Sequence, residues 1–167
     1  MSIENSSDPK PQEQNALQLK LAELSELIKK DGAEELKEAR ENFLKIYESL
    51  PIIGERLIIE YKKICASLGK DPGEIKLYMV GGRVVGKPLK PDSDIDLIFS
   101  VQNHQGSLET VSKSVDPQSA LDMRQGSWDK LRYFLDQTCR DLGVVNLFHI
   151  LNYGTTNLPE GLLLSQG

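Results

Sequence analysis

Two carboxylates, Asp94 and Asp96, open an otherwise apolar run, Ile95 to Val101 (IDLIFSV), that reads as a β-strand. Alternate residues of a strand point to one face, so the pair aims both carboxylates at one point while Ile95 and Leu97 enter the core. Two such groups repel unless a cation lies between them. Hard oxygen ligands of this kind suit Mg²⁺ or Mn²⁺, which also bridge to the phosphates of a nucleoside triphosphate. Asp96 sits inside the apolar run, and a polar turn through Pro91-Asp92-Ser93 does not account for it.

The residues ahead of the pair have complementary chemistry. A short strand, Ile75 to Val80, ends at Gly81-Gly82, where the lack of Cβ atoms permits positive φ and lets backbone N–H groups approach a ligand. From Lys76 to Lys90 the charged residues are Lys76, Arg83, Lys87 and Lys90, all positive, immediately before the acidic cluster. Phosphates and cations can therefore be bound side by side, with Gly81, Gly82, Arg83 and Lys87 holding the triphosphate and Asp94 and Asp96 the metal. Competing readings fail on spacing. An EF-hand counted from Asp92 has Leu97 and Asn103 where glycine and glutamate are required. The segment Val80 to Gly86 has neither the G-x-G-x-x-G nor the P-loop pattern.

The strand, the Gly81-Gly82 turn, the basic loop and Asp94-Ile95-Asp96, extended through Pro91-Asp92-Ser93, resemble the DNA polymerase β-like nucleotidyltransferase superfamily. The likeness is nearest to its minimal members and to the head domains of tRNA-maturing nucleotidyltransferases, and it covers residues from about 70 to 165. It implies a mixed-sheet α+β fold and transfer of a nucleoside monophosphate from an NTP to an acceptor hydroxyl, with release of pyrophosphate. Mg²⁺ or Mn²⁺ would be held by Asp94 and Asp96. The acceptor, whether RNA, protein or small molecule, is not specified by the chain. The family's third carboxylate falls on the strand after the long helix, here Val144 to Leu151 (VVNLFHIL). Asn146 aligns with it, and an amide is no base at neutral pH. In a continuous strand His149 lies on the opposite face and reaches the site only through a bulge. Asn146 therefore supports an alternative, a catalytically weakened member acting as a binding or regulatory module, such as the antitoxin partner of a helical toxin. A further alternative treats the chain as a helical interaction protein whose acidic turn is incidental.

The elements that must position these residues follow from periodicity. Residues 1–14 are polar with two prolines and are expected to be disordered. Leu17, Leu21, Leu24 and Ile28 form one helical stripe beginning near Asn15. An Asp31-x-x-Glu34 capping box starts a second helix, carrying Leu36, Ala39, Phe43, Ile46 and Leu50, that ends at Pro51. A third, from Pro51, buries Leu57, Ile58, Tyr61, Ile64, Cys65 and Leu68 and stops at Gly69. After a polar stretch from Gln102 to Asp116, a helix from about Pro117 to Leu142 places Leu121, Trp128, Leu131, Leu135 and Cys139 inward, with Gly126 as a break point. A last strand spans Gly161 to Ser165. The expected organisation is a tail at 1–14, a helical extension at 15–50 and a nucleotidyltransferase-like core at 51–167. The leucine stripe from 17 to 28 reads most simply as a helix packed on its own domain, and residues 17–50 offer as an alternative a surface for a helical partner or a homodimer.

With a net charge of −5 and 27% charged residues, the surface as a whole repels polyanions, so phosphate binding must be local. Cys65 and Cys139 stand apart, with no CxxC pair, which excludes a disulfide framework and fits a reducing cytoplasm. No segment reaches the roughly 20 apolar residues of a membrane span.

Overall fold

The computed structural model describes residues 11–69, 74–102, 108–110, 125–150 and 161–167. Helix α1 spans Pro11–Lys30 and α2 Lys37–Ser67. They are followed by β1 (Ile75–Val80), β2 (Ile95–Gln102), β3 (Leu108–Thr110), α3 (Gln125–Leu142), β4 (Phe148–Ile150) and β5 (Gly161–Gln166). The fold is α+β with a mixed sheet. Its strands run in the order β3-β2-β1-β5, and β4 also pairs with β2. The β1 and β2 strands are antiparallel, with Val80 opposite Asp96 and Leu77 opposite Phe99. The other edge of β2 is shared: β3 pairs antiparallel with residues 100–102, and β4 pairs parallel with residues 95–97.

Alternation sorts the strand residues. Ile75, Leu77, Met79, Ile95, Leu97 and Phe99 are fully buried and join the helices in one core, with Tyr61 of α2 stacked on Phe99 at 4.8 Å between ring centroids. Tyr78, Val80 and Ile98 form a smaller apolar cluster on the opposite face, and Asp96 shares their parity. The α1 stripe of Leu17, Leu21, Leu24 and Ile28 is buried in the main core, as its spacing predicts, and so are Trp128, Leu131, Leu135 and Cys139 of α3. Burying each such leucine contributes on the order of 2 kcal/mol. Gly54 lets α2 approach β5 closely: a Cβ there would lie 3.2 Å from the Cβ atoms of both Leu164 and Ser165.

Several elements differ from expectation. The helix expected to end at Pro51 and its expected successor are one helix of 31 residues, with Pro51 inside it, so the boundary expected at 50/51 falls within an element. Proline cannot donate to the carbonyl of Tyr47. The buried neighbours on both sides, Ile46, Tyr47, Leu50, Ile53 and Gly54, hold the helix to the core through this gap. Asp31 does not cap with Glu34. Its Oδ1 accepts from the N–H of Ala33 at 3.2 Å, and a short 3-10 turn, Glu34–Leu36, leads into α2.

Leu68 is exposed, because the helix has reached its end. Helix α1 begins at Pro11, ahead of Asn15, while the rest of the expected tail, residues 1–10, lies outside the described residues. So do Leu121 and the expected start of α3 near Pro117; α3 runs through Gly126 without a break. The strand expected over 144–151 is regular only at Phe148–Ile150, with Leu151 outside the described residues, and β3 was not expected at all. No helix among the described residues is long and apolar enough to cross a membrane.

Candidate metal centre

Three local structures converge at the start of β2. The first is the turn that delivers Asp94. The N–H of Ser93 donates to Lys90 O at 3.1 Å, and Ser93 Oγ accepts from the N–H of Lys90 at 2.8 Å, with Pro91 and Asp92 at the corner. Asp94 then stands exposed just before the strand, and Asp96 lies half-buried within it.

The second is the Gly81 turn at the end of β1. Gly81 has φ +84°, and a Cβ there would lie 3.2 Å from Asp96 Oδ2. A side chain at this position would adopt a disfavoured backbone conformation and press on the carboxylate. The turn is closed by Val84 N–H to Gly81 O at 3.1 Å and Lys87 N–H to Gly82 O at 3.0 Å. Gly82 and the exposed Lys87 are therefore neighbours, since a Cβ on Gly82 would meet Lys87 Cδ at 3.4 Å.

The third is β4. Asn146 Oδ1 accepts from the N–H of Phe148 at 3.1 Å, a local turn that starts the strand only at Phe148. Ile95 N–H donates to Leu147 O at 2.9 Å, and the parallel register sets His149 directly beside Asp96. Phe148 and Ile150 face inward while His149 is exposed, with Nδ1 3.6 Å from Asp96 Oδ1. The residue that this segment brings to the carboxylates is thus His149, while the Asn146 amide oxygen is taken up by the N–H of Phe148. No bulge is needed, because alternation restarts after the Asn146 turn.

One ligand atom from each of Asp94, Asp96 and His149 lies within 4.8 Å of the others, close enough to bind a metal ion. The donor chemistry fits a divalent cation: two carboxylates and an imidazole gathered at one place. The electrostatics agree. Partial burial, and secondarily the adjacent Asp94 carboxylate, push the Asp96 carboxyl above the usual carboxylate range, against the opposing pull of His149.

Arg83 is not part of this cluster. It is buried, its Nη2 donates to Lys87 O at 2.8 Å and Pro88 O at 3.1 Å, and its guanidinium lies 5.6 Å above the Phe43 ring centre. Burial raises the pKa of the Tyr47 hydroxyl, against the opposing pull of the Arg83 charge. Arg83 therefore ties the basic loop to α2, and with Lys87 it lines a cleft of about 210 Å³ between that loop and α1. The expected triphosphate ligand is in this way engaged by the protein itself. No protein-family profile, no curated protein and no solved structure matches the chain.

Proposed function

We propose that this protein is a metal-dependent nucleotidyltransferase, moving a nucleoside monophosphate from an NTP to an acceptor hydroxyl through Asp94, Asp96 and His149. The observation that carries the reading is the convergence of these three side chains beside the Gly81 turn, where Asp96 Oδ2 lies just outside the space a Cβ would take. A bound Mg²⁺ or Mn²⁺ would neutralise the carboxylates and polarise a phosphoryl oxygen. The chain's own part is positional. Gly81 keeps the approach to Asp96 free of a side chain, and the turn it opens carries Gly82 and the exposed, positively charged Lys87. Arg83 fixes the loop that carries them. In the reaction the acceptor oxygen bonds to the α-phosphorus as the bond to pyrophosphate breaks, and the hydroxyl proton passes to solvent.

The test is calorimetric titration with ATP and with the other NTPs in the presence of Mg²⁺ or Mn²⁺, followed by transfer of labelled nucleotide. Asp94→Ala and Asp96→Ala should each abolish metal-dependent nucleotide binding. Absence of such binding in the wild type would sink the proposal.

A second reading is favoured by one observation: among the described residues an imidazole, and no third carboxylate, meets the pair. On that reading the site binds a metal–nucleotide complex without turning it over, and the protein serves as a binding or regulatory module. His149→Asp separates the two, because transfer that appears only in the variant marks a weakened natural site.

A further inference from the structure

The third ligand position bears on which metal the site selects. We infer that His149 makes the centre selective for a first-row transition ion, Mn²⁺ among the ions that bridge phosphates, over Mg²⁺. This inference rests on the metal site of the proposed function and assigns its ion.

The argument begins with the register. Parallel pairing of β2 with β4 places His149 directly beside Asp96, and Ile95 N–H to Leu147 O fixes that alignment at the strand's first residue. His149 can therefore leave the cluster only by rotating its side chain. Its Nδ1 stands 3.6 Å from Asp96 Oδ1. Adjacent ligands on an ion with bonds of about 2.1 Å are roughly 3 Å apart, so a small side-chain movement brings both onto one ion.

The second step is ligand chemistry. Mg²⁺ is small and hard, takes oxygen ligands, and sheds its waters reluctantly. An imidazole nitrogen is a poor ligand for it, whereas affinity for nitrogen rises along the first transition row. A site of carboxylates alone discriminates weakly between Mg²⁺ and Mn²⁺. Replacing one carboxylate by imidazole lowers the site's negative charge, which weakens every dication. It also adds a nitrogen donor, which restores only the transition ions. His149 is exposed, so its substitution leaves the core packing untouched.

The experiment uses the full-length chain and metal alone, at fixed pH. Free Mn²⁺ is followed by electron paramagnetic resonance as Mg²⁺ is added in competition, for wild type, His149→Ala and His149→Asp. The Mn²⁺-to-Mg²⁺ affinity ratio cancels the added charge of the aspartate. It should fall by roughly tenfold in His149→Asp, as the nitrogen donor is lost. Wild type labelled with ¹⁵N-histidine and loaded with Mn²⁺ should give nitrogen modulation in the electron spin echo, absent in His149→Ala. That readout is independent of turnover. An unchanged ratio, or no nitrogen coupling in a wild type that binds Mn²⁺ through Asp94 and Asp96, overturns the inference and removes His149 from the site, while metal-dependent nucleotide binding at Asp94 and Asp96 still stands. Failure of the wild type to bind Mn²⁺ at all overturns both.

Discussion

Replacing Gly81 by alanine perturbs stability and the metal centre through the same atom. The backbone at Gly81 has φ +84°, a conformation that costs a residue with a Cβ about 1–2 kcal/mol. The new methyl would also sit 3.2 Å from Asp96 Oδ2, so the carboxylate must turn away to make room. For a domain of this size each kcal/mol lowers Tm by about 2–4 °C, so Gly81→Ala should melt roughly 2–8 °C below wild type. Gly82→Ala is the internal control. Its backbone is not left-handed, and its Cβ would meet only the flexible Lys87 side chain, at 3.4 Å. Its Tm should stay within about 2 °C of wild type, as expected for a substitution worth less than about 0.5 kcal/mol. The assay is thermal unfolding by circular dichroism, with and without saturating Mn²⁺. Wild type and Gly82→Ala should gain stability from the ion, and Gly81→Ala should gain less, because its Asp96 is displaced. Equal losses in the two variants, or full Mn²⁺ stabilisation of Gly81→Ala, would refute the reasoning.

Two further outcomes follow from buried groups. Arg83→Met should destabilise by about 2 kcal/mol or more, because the carbonyls of Lys87 and Pro88 lose their donor, whereas Lys87→Ala should change stability by less than about 0.5 kcal/mol and weaken nucleotide binding; urea unfolding and NTP titration check the pair. Burial raises the pKa of Tyr47, Tyr61 and Cys139, the last to about 11 from its ordinary 9.0. The folded state then holds more protons than the unfolded chain in alkali, so stability should be level below pH 9 and fall between about pH 9 and 11. Urea midpoints across that range test it, and a midpoint that rises would contradict the assignment.

The parts of the fold that were legible in the sequence are those whose signal is local and repeated. Leu17, Leu21, Leu24 and Ile28 mark α1's buried face, Trp128, Leu131, Leu135 and Cys139 mark α3's, and the apolar runs at 75–80 and 161–165 give β1 and β5 almost to the residue. What was not legible depends on distant partners. Pro51 reads as a helix start, but burial of Leu50, Ile53 and Gly54 in the core keeps one helix continuous through it. Strand β3 has three residues, too few to show a period. Arg83 reads as a triphosphate ligand because Phe43 and Tyr47, against which it packs, lie some forty residues upstream.

At the candidate metal centre the Asp94–Asp96 pair is visible from spacing alone, and Gly81 from its position after β1. His149 falls on the wrong face if Val144 to Leu151 is an unbroken strand, whereas Asn146 turns the chain before Phe148. One signal would have found it: His149 is a polar residue inside the apolar run LFHIL, the same pattern that singles out Asp96 within IDLIF.

The most direct test of the account is a crystal of the protein grown with Mn²⁺ and a non-hydrolysable ATP analogue, with data collected at the manganese edge. The account predicts an anomalous peak bounded by Asp94, Asp96 and His149, with the triphosphate beside Gly81 and Gly82. A peak elsewhere, or a triphosphate bound away from this turn, would contradict it.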